Sequence, residues 1–178
     1  ELRLNEYFKP FGKTIRFKYK YYETEYDLLT DFFHFTEKMP LITGWNFIDF
    51  DWNYLIARGK KLKVAVERSS PTQKLDNTNK PLHKIVVDYL RIYKKWDTIV
   101  DIKETNGLDA VSEVVLGVKK VKYHGSLNDL YRNDFEKFIL YNAVDSFLVK
   151  LLDERLNTLI PYLKLGHITK TEADKAFS

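Results

Sequence analysis

Apolar and polar residues alternate along residues 13–22, where Ile15, Phe17, Tyr19 and Tyr21 are interleaved with Arg16, Lys18 and Lys20. That period of two predicts a half-buried strand. Over residues 23–38 the period lengthens. Leu28, Leu29, Phe32, Phe33 and Phe35 form an apolar band at helical spacing, with Thr24 as N-cap, Asp27 three residues on, and Pro40 setting the end. Residues 40–45 then read as a short apolar strand, and 49–60 as a helix with Trp52, Leu55 and Ile56 on one side. The polar stretch 67–80 predicts a long loop, tipped on a hairpin begun by Val64, Ala65 and Val66. Residues 85–87 read as a strand, and Tyr89–Trp96 as a helix. Leu108–Leu116 and 126–131 are shorter helices, and the longest, 134–159, is ended by Pro161. Strands alternating with helices predict an α/β fold with partly parallel pairing.

Composition narrows the class. The chain has 178 residues, a length that suits one domain spanning 1–178, and its twelve Tyr, twelve Phe and three Trp supply core enough to exclude intrinsic disorder. With no Cys, disulfides, thiolate metal sites and cysteine nucleophiles are excluded together, and the expected setting is intracellular. No apolar run reaches the roughly 20 residues of a membrane helix. A formal charge of +4 permits contact with nucleic acid without demanding it. The first residue is Glu1 and the one Met is Met39, so the expectation is a piece of something longer.

Two segments carry candidate chemistry. In the long helix Phe138, Tyr141, Asp145, Leu148 and Leu152 share one face, flanked by Val144 and Leu151. A carboxylate inside an apolar stripe is costly unless compensated. Either Asp145 is solvated at the stripe's edge or paired with a nearby Lys or Arg, or it is a metal ligand with Tyr141 one turn earlier. The second segment is 44–51, Gly-Trp-Asn-Phe-Ile-Asp-Phe-Asp, where a strand end meets a helix start, the usual ligand edge of α/β sheets. Asp49 and Asp51 read equally well as helix caps. Asp88, ending an apolar strand, is an additional acid of the site or an N-cap. The basic runs 58–63, 94–95 and 119–122 are solvated faces or phosphate contacts, and the four His have no metal-ligand spacing.

Gly44-Trp45-Asn46 followed by Phe50-Asp51 and Tyr54-Leu55 resembles the second motif of the 3′-5′ exonuclease domain of phage-type family B DNA polymerases. Tyr141 and Asp145 match the third motif, Tyr-x-x-x-Asp. Between them, residues 87–90, 93–96, 108–113 and 123–125 resemble the linking segments of T-even-like polymerases, in order.

The resemblance implies an RNase H-like exonuclease fold, a mixed sheet flanked by helices. It implies Asp51 and Asp145 as carboxylates of a two-metal site for Mg²⁺ or Mn²⁺, Tyr141 orienting the attacking water, and Asn46 with Phe47 contacting the substrate end. The expected function is proofreading hydrolysis of a single-stranded DNA 3′ end alongside the remainder of a polymerase chain, in the cytoplasm of a bacterium or phage-infected cell. One departure qualifies it. The family's first motif, Asp-x-Glu, is not found before Gly44; Glu23-Thr24-Glu25 has Glu where the motif has Asp and reads as acid at a helix start. The first strands are therefore expected to be absent, the metal site incomplete and the isolated piece inactive. The rival expectations are a non-catalytic nucleic-acid-binding or structural remnant and a stand-alone nuclease of this fold. An open sheet edge also raises pairing of two copies as a homodimer.

Overall fold

The computed structural model describes residues 2–16, 18–96 and 106–171. They divide into two compact units, a central one, Lys20–Lys94, and a terminal one formed by Glu1–Tyr19 with Lys95–Ser178.

The central unit begins with α2 (Glu25–Glu37), numbered after α1 of the terminal unit. Thr24 caps α2, its hydroxyl oxygen accepting the Asp27 N–H at 3.1 Å. β1 (Leu41–Gly44) and β2 (Ile85–Asp88) pair in parallel, Leu41 opposite Ile85 and Gly44 opposite Asp88. A single turn of π-helix, Ile48–Trp52, leads from the end of β1 into α3 (Asn53–Lys61). Leu29, Phe33, Trp52, Ile56, Val64 and Val66 form the core, each contributed by an apolar position of α2, the π-turn, α3 or the segment after it. Burying such side chains stabilises by about 1.5–3 kcal/mol each. Trp52 also donates its indole N–H to the Asn79 carbonyl at 3.0 Å, which anchors the polar loop. From β2 the chain enters α4 (Tyr89–Trp96), whose Tyr89 and Tyr93 rings lie 6.3 and 5.5 Å from that of Trp45.

In the terminal unit α7 (Phe135–Leu156) is the axis, packed by α1 (Leu2–Phe8), α5 (Leu108–Leu116) and α6 (Leu127–Asn133), with α8 (Leu159–Thr169) following. Its Val144, Leu148 and Leu152 are fully buried. Local signals start both helices: a capping box of Ser126 and Asp129 at α6, and Asp134 accepting the Lys137 N–H at α7.

The α/β pattern and the parallel pairing are as the periodicity implies, but five local expectations are corrected. Among the described residues of 13–22 there is no strand; Phe17 lies outside them. Alternation alone cannot hold a strand without a neighbour. Here the Ile15 backbone bonds the Asn5 side chain, its N–H at 2.6 Å, while Tyr21 is 89% exposed. In α2, Leu29 and Phe33 face the core but Leu28 and Phe35 are exposed, because the covering segment reaches only one stripe of the band. The helix expected from residue 49 starts as the π-turn and becomes α only at Asn53. Val64–Val66 starts no hairpin; a 3₁₀ turn, Val66–Ser69, buries Val66, and the antiparallel bridge joins Leu75 and Pro81 instead. Finally, the long helix stops at Asn157, in the left-handed region at φ 51, and Pro161 sits in the first turn of α8, where its missing N–H costs nothing. Among the described residues the sheet has two strands, and no helix is long and apolar enough to cross a membrane.

Candidate functional site

The turn after β1 is shaped by three residues. Gly44 suits a close approach, since a Cβ there would sit 3.0 Å from Cβ of Phe47, tighter than ordinary contact. Asn46 takes φ 55, a left-handed conformation that Asn tolerates better than most residues. Its carbonyl accepts the Phe50 N–H at 3.2 Å, and the Phe47 carbonyl accepts the Trp52 N–H at 2.8 Å, so the turn winds directly into the π-turn. Phe47 is half-buried with its ring 5.8 Å from Trp52, whereas Asn46 is exposed.

Asp51 lies within the π-turn and caps nothing. The residue as a whole is exposed, but partial desolvation of its carboxyl, then the negative charge of Asp88, push it above the usual carboxylate range. Asp49 is instead paired with Arg91, which donates to both its oxygens at 2.8 Å. Phe50 and Tyr54, one residue before and three after Asp51, are exposed by 71% and 63%. The sequence marked Phe50 and Tyr54 only as part of the motif, and Phe47 was the aromatic expected to contact the substrate end.

Asp88, weighed from sequence as an added acid or an N-cap, is a cap and more. Its carboxylate accepts the Leu90 N–H at the start of α4 and, across the sheet end, the N–H groups of Asn46 and Ile48. Burial pushes its carboxyl up, against the pull of those three bonds.

In the terminal unit, α7 brings Tyr141 and Asp145 onto one side, as their spacing implies. Asp145 Oδ2 is 2.6 Å from Lys120 Nζ, an ion pair in which both side chains are about three-quarters covered (22% and 24% exposed). Among the described residues, Asp145 Oδ1 is buried and has no hydrogen-bond partner. Burial pulls the Lys120 ammonium down, yet bonding to Asp145 and that residue's charge outweigh it, and the net shift is upward. Tyr141 is pushed up by burial, with Asp145 adding to it; its ring meets Tyr123 edge-on at 5.2 Å and lies 5.4 Å from Lys120 Nζ. The run 119–122 thus contributes a partner to Asp145 rather than an idle basic face. The signal was the acid in the apolar stripe, which demanded a cation without saying which.

Among the described residues no three Asp, Glu, His or Cys side chains gather as metal ligands would. The fit to a divalent ion rests on Asp145, whose orphaned Oδ1 is a hard oxygen donor with bonding capacity to spare.

Residues 5–141 match the model of the DNA polymerase family B exonuclease domain. The chain belongs to that family. Asp51 and Tyr141 fall inside the matched span and Asp145 four residues past it. The DNA-directed DNA polymerase of Escherichia phage RB69 is 29% identical over 90% of this chain, and that of Enterobacteria phage T4 is 27% identical over 85%. DNA polymerase 1 of Sulfolobus acidocaldarius is 28% identical over 91%. The alignments cover 19%, 18% and 20% of those proteins, so the chain spans about a fifth of their length. The α/β architecture with parallel pairing is consistent with the RNase H-like fold of a family B exonuclease domain.

Proposed function

We propose that this domain serves 3′-5′ exonucleolytic proofreading, hydrolysing the terminal phosphodiester of a single-stranded DNA 3′ end next to the rest of a polymerase chain, inside a bacterial or phage-infected cell. The observation that carries the reading is Asp145, a carboxylate kept on the apolar side of α7 with one buried oxygen unbonded. Evolution seldom retains such a group for packing, because an unsatisfied buried oxygen costs about 1–3 kcal/mol.

Asp51 in the central unit and Asp145 in the terminal unit would each serve as a ligand of Mg²⁺ or Mn²⁺. Divalent ions bound there supply Lewis-acid charge to the phosphoryl oxygens and acidify a bound water. The chain's own residues do the rest. Tyr141, its phenol held in the protonated form, keeps an O–H with which to orient a water beside Asp145. Lys120 holds the Asp145 carboxylate in place and offsets its charge. Asn46 presents an exposed amide for the substrate end, and Phe47 offers the part of its ring not covered by Trp52. Phe50 and Tyr54 add exposed faces on which bases can stack.

The same Lys120 pair favours a second reading, in which Asp145 is structural and the domain binds nucleic acid without cutting it. A 3′-labelled single strand decides between them. With the 178-residue chain we expect tight dependence of any cleavage on Mg²⁺ or Mn²⁺ and its loss in Asp51→Ala and Asp145→Ala. We also expect the overall rate to be low, since no Asp-x-Glu precedes Gly44 to add carboxylates. Rapid 3′ degradation by this chain overturns the expected low rate. Cleavage that survives both substitutions overturns the site.

A further inference from the structure

We infer that Asp88 is a positioning residue for the proposed exonuclease site, one carboxylate that ties the start of α4 to the turn presenting Asn46 and Asp51. The inference rests on the reading above and goes beyond it, because Asp88 belongs to neither motif. It closes β2 directly opposite Gly44 and is 2% exposed. Capping α4 needs one acceptor, and Asp88 Oδ1 provides it to Leu90 N–H at 3.0 Å. Ser or Asn would serve that purpose without burying a charge. The carboxylate does more: Oδ1 also accepts Asn46 N–H at 3.0 Å, and Oδ2 accepts Ile48 N–H at 3.2 Å, 42 and 40 residues away in the chain.

Those two donors bracket Phe47 and stand at the entrance of the π-turn. From them the order passes through Phe50 N–H to Asn46 carbonyl and Trp52 N–H to Phe47 carbonyl, the two bonds that flank Asp51. A buried carboxylate with three charge-assisted bonds is therefore what holds a left-handed Asn and an otherwise uncapped helix start in one geometry. Supporting groups of this kind typically change metal affinity 10–100-fold when removed.

The test is a Mn²⁺ titration of the ¹⁵N-labelled 178-residue chain, reading paramagnetic broadening of the amides of residues 46–52, together with hydrogen exchange. Asp88→Asn keeps an acceptor for Leu90 but offers Ile48 an N–H₂ in place of an oxygen. Exchange at Ile48 should rise at least tenfold while the α4 amides stay protected, and the Mn²⁺ concentration for half-broadening should rise about tenfold. Should Asp88→Asn not unfold cooperatively, Asp88→Ser, which retains a cap for α4, replaces it with the same expectation. Asp51→Asn runs in parallel. If the wild type shows no broadening, or Asp51→Asn keeps it, the metal reading fails and this role falls with it. If the broadening needs Asp51 but folded Asp88→Asn binds Mn²⁺ within twofold of wild type, the positioning inference alone is overturned.

Discussion

At position 46 the backbone sits at φ 55, where a side chain with a Cβ is penalised and Asn less so than Ala. Asn46→Ala should therefore lose about 1 kcal/mol in urea unfolding, whereas Asn46→Gly should stay within a few tenths. If the Asn46 amide also contacts the DNA end, both variants should weaken single-strand binding, which separates the two roles. Gly59 is the opposite case, a glycine inside α3. A Cβ there would meet Val66 Cγ1 at 2.5 Å and Phe33 Cε2 at 3.0 Å. Although Ala favours helices by about 1 kcal/mol, Gly59→Ala should destabilise by about 1–3 kcal/mol through overpacking. Sequence pattern marked Asn46 as part of a motif. It was silent on Gly59, because nothing local says that two core side chains close over that position.

Among the elements, α7 and the π-turn each carry an acid under strain. Removing the Asp145 partner by Lys120→Met should cost between the ~1 kcal/mol of an exposed pair and the ~3 kcal/mol of a buried one, since both groups are about a quarter exposed. The loss should shrink in Lys120→Met combined with Asp145→Asn, as measured by thermal unfolding. Asp51, although exposed as a residue, has a raised carboxyl, first from partial desolvation and then from Asp88. A raised acid binds its proton more tightly folded than unfolded, so its ionisation opposes folding. That cost is absent below the unfolded value of about 3.9 and complete above the folded value. Asp51→Asn should therefore raise the thermal midpoint at pH 7, and the gain should vanish as the pH approaches 3. A loss of stability at pH 7 would contradict it. The termini of these elements were legible where a local signal sets them, as with Thr24, Ser126 and Asp134. They were not legible where the end depends on a backbone choice, as at Asn157, or on a partner elsewhere, as with the strand expected from residue 13.

For the molecule as a whole, ligand binding to the native state alone must raise its stability. A divalent ion at ten times its dissociation constant contributes about 1.4 kcal/mol. Mn²⁺ should accordingly raise the unfolding midpoint of the wild type and leave Asp51→Asn and Asp145→Asn closer to their metal-free values; an equal shift in all three would place the ion elsewhere. The family was readable from the chain because its evidence is linear: an ordered series of short motifs separated by segments of suitable length. The α/β class was readable because its signals are local: short apolar runs at β1 and β2, and apolar spacing near 3.6 in α3 and α7. Which acids are already engaged was decided only in three dimensions. Asp49 goes to Arg91, Asp145 to Lys120, and Asp88 to three backbone donors, while the neighbouring Asp51 is left with a raised carboxyl. Hydrogen bonds and ion pairs join groups by distance in space, and residues 40 positions apart in sequence carry no mark of being 3 Å apart in the fold.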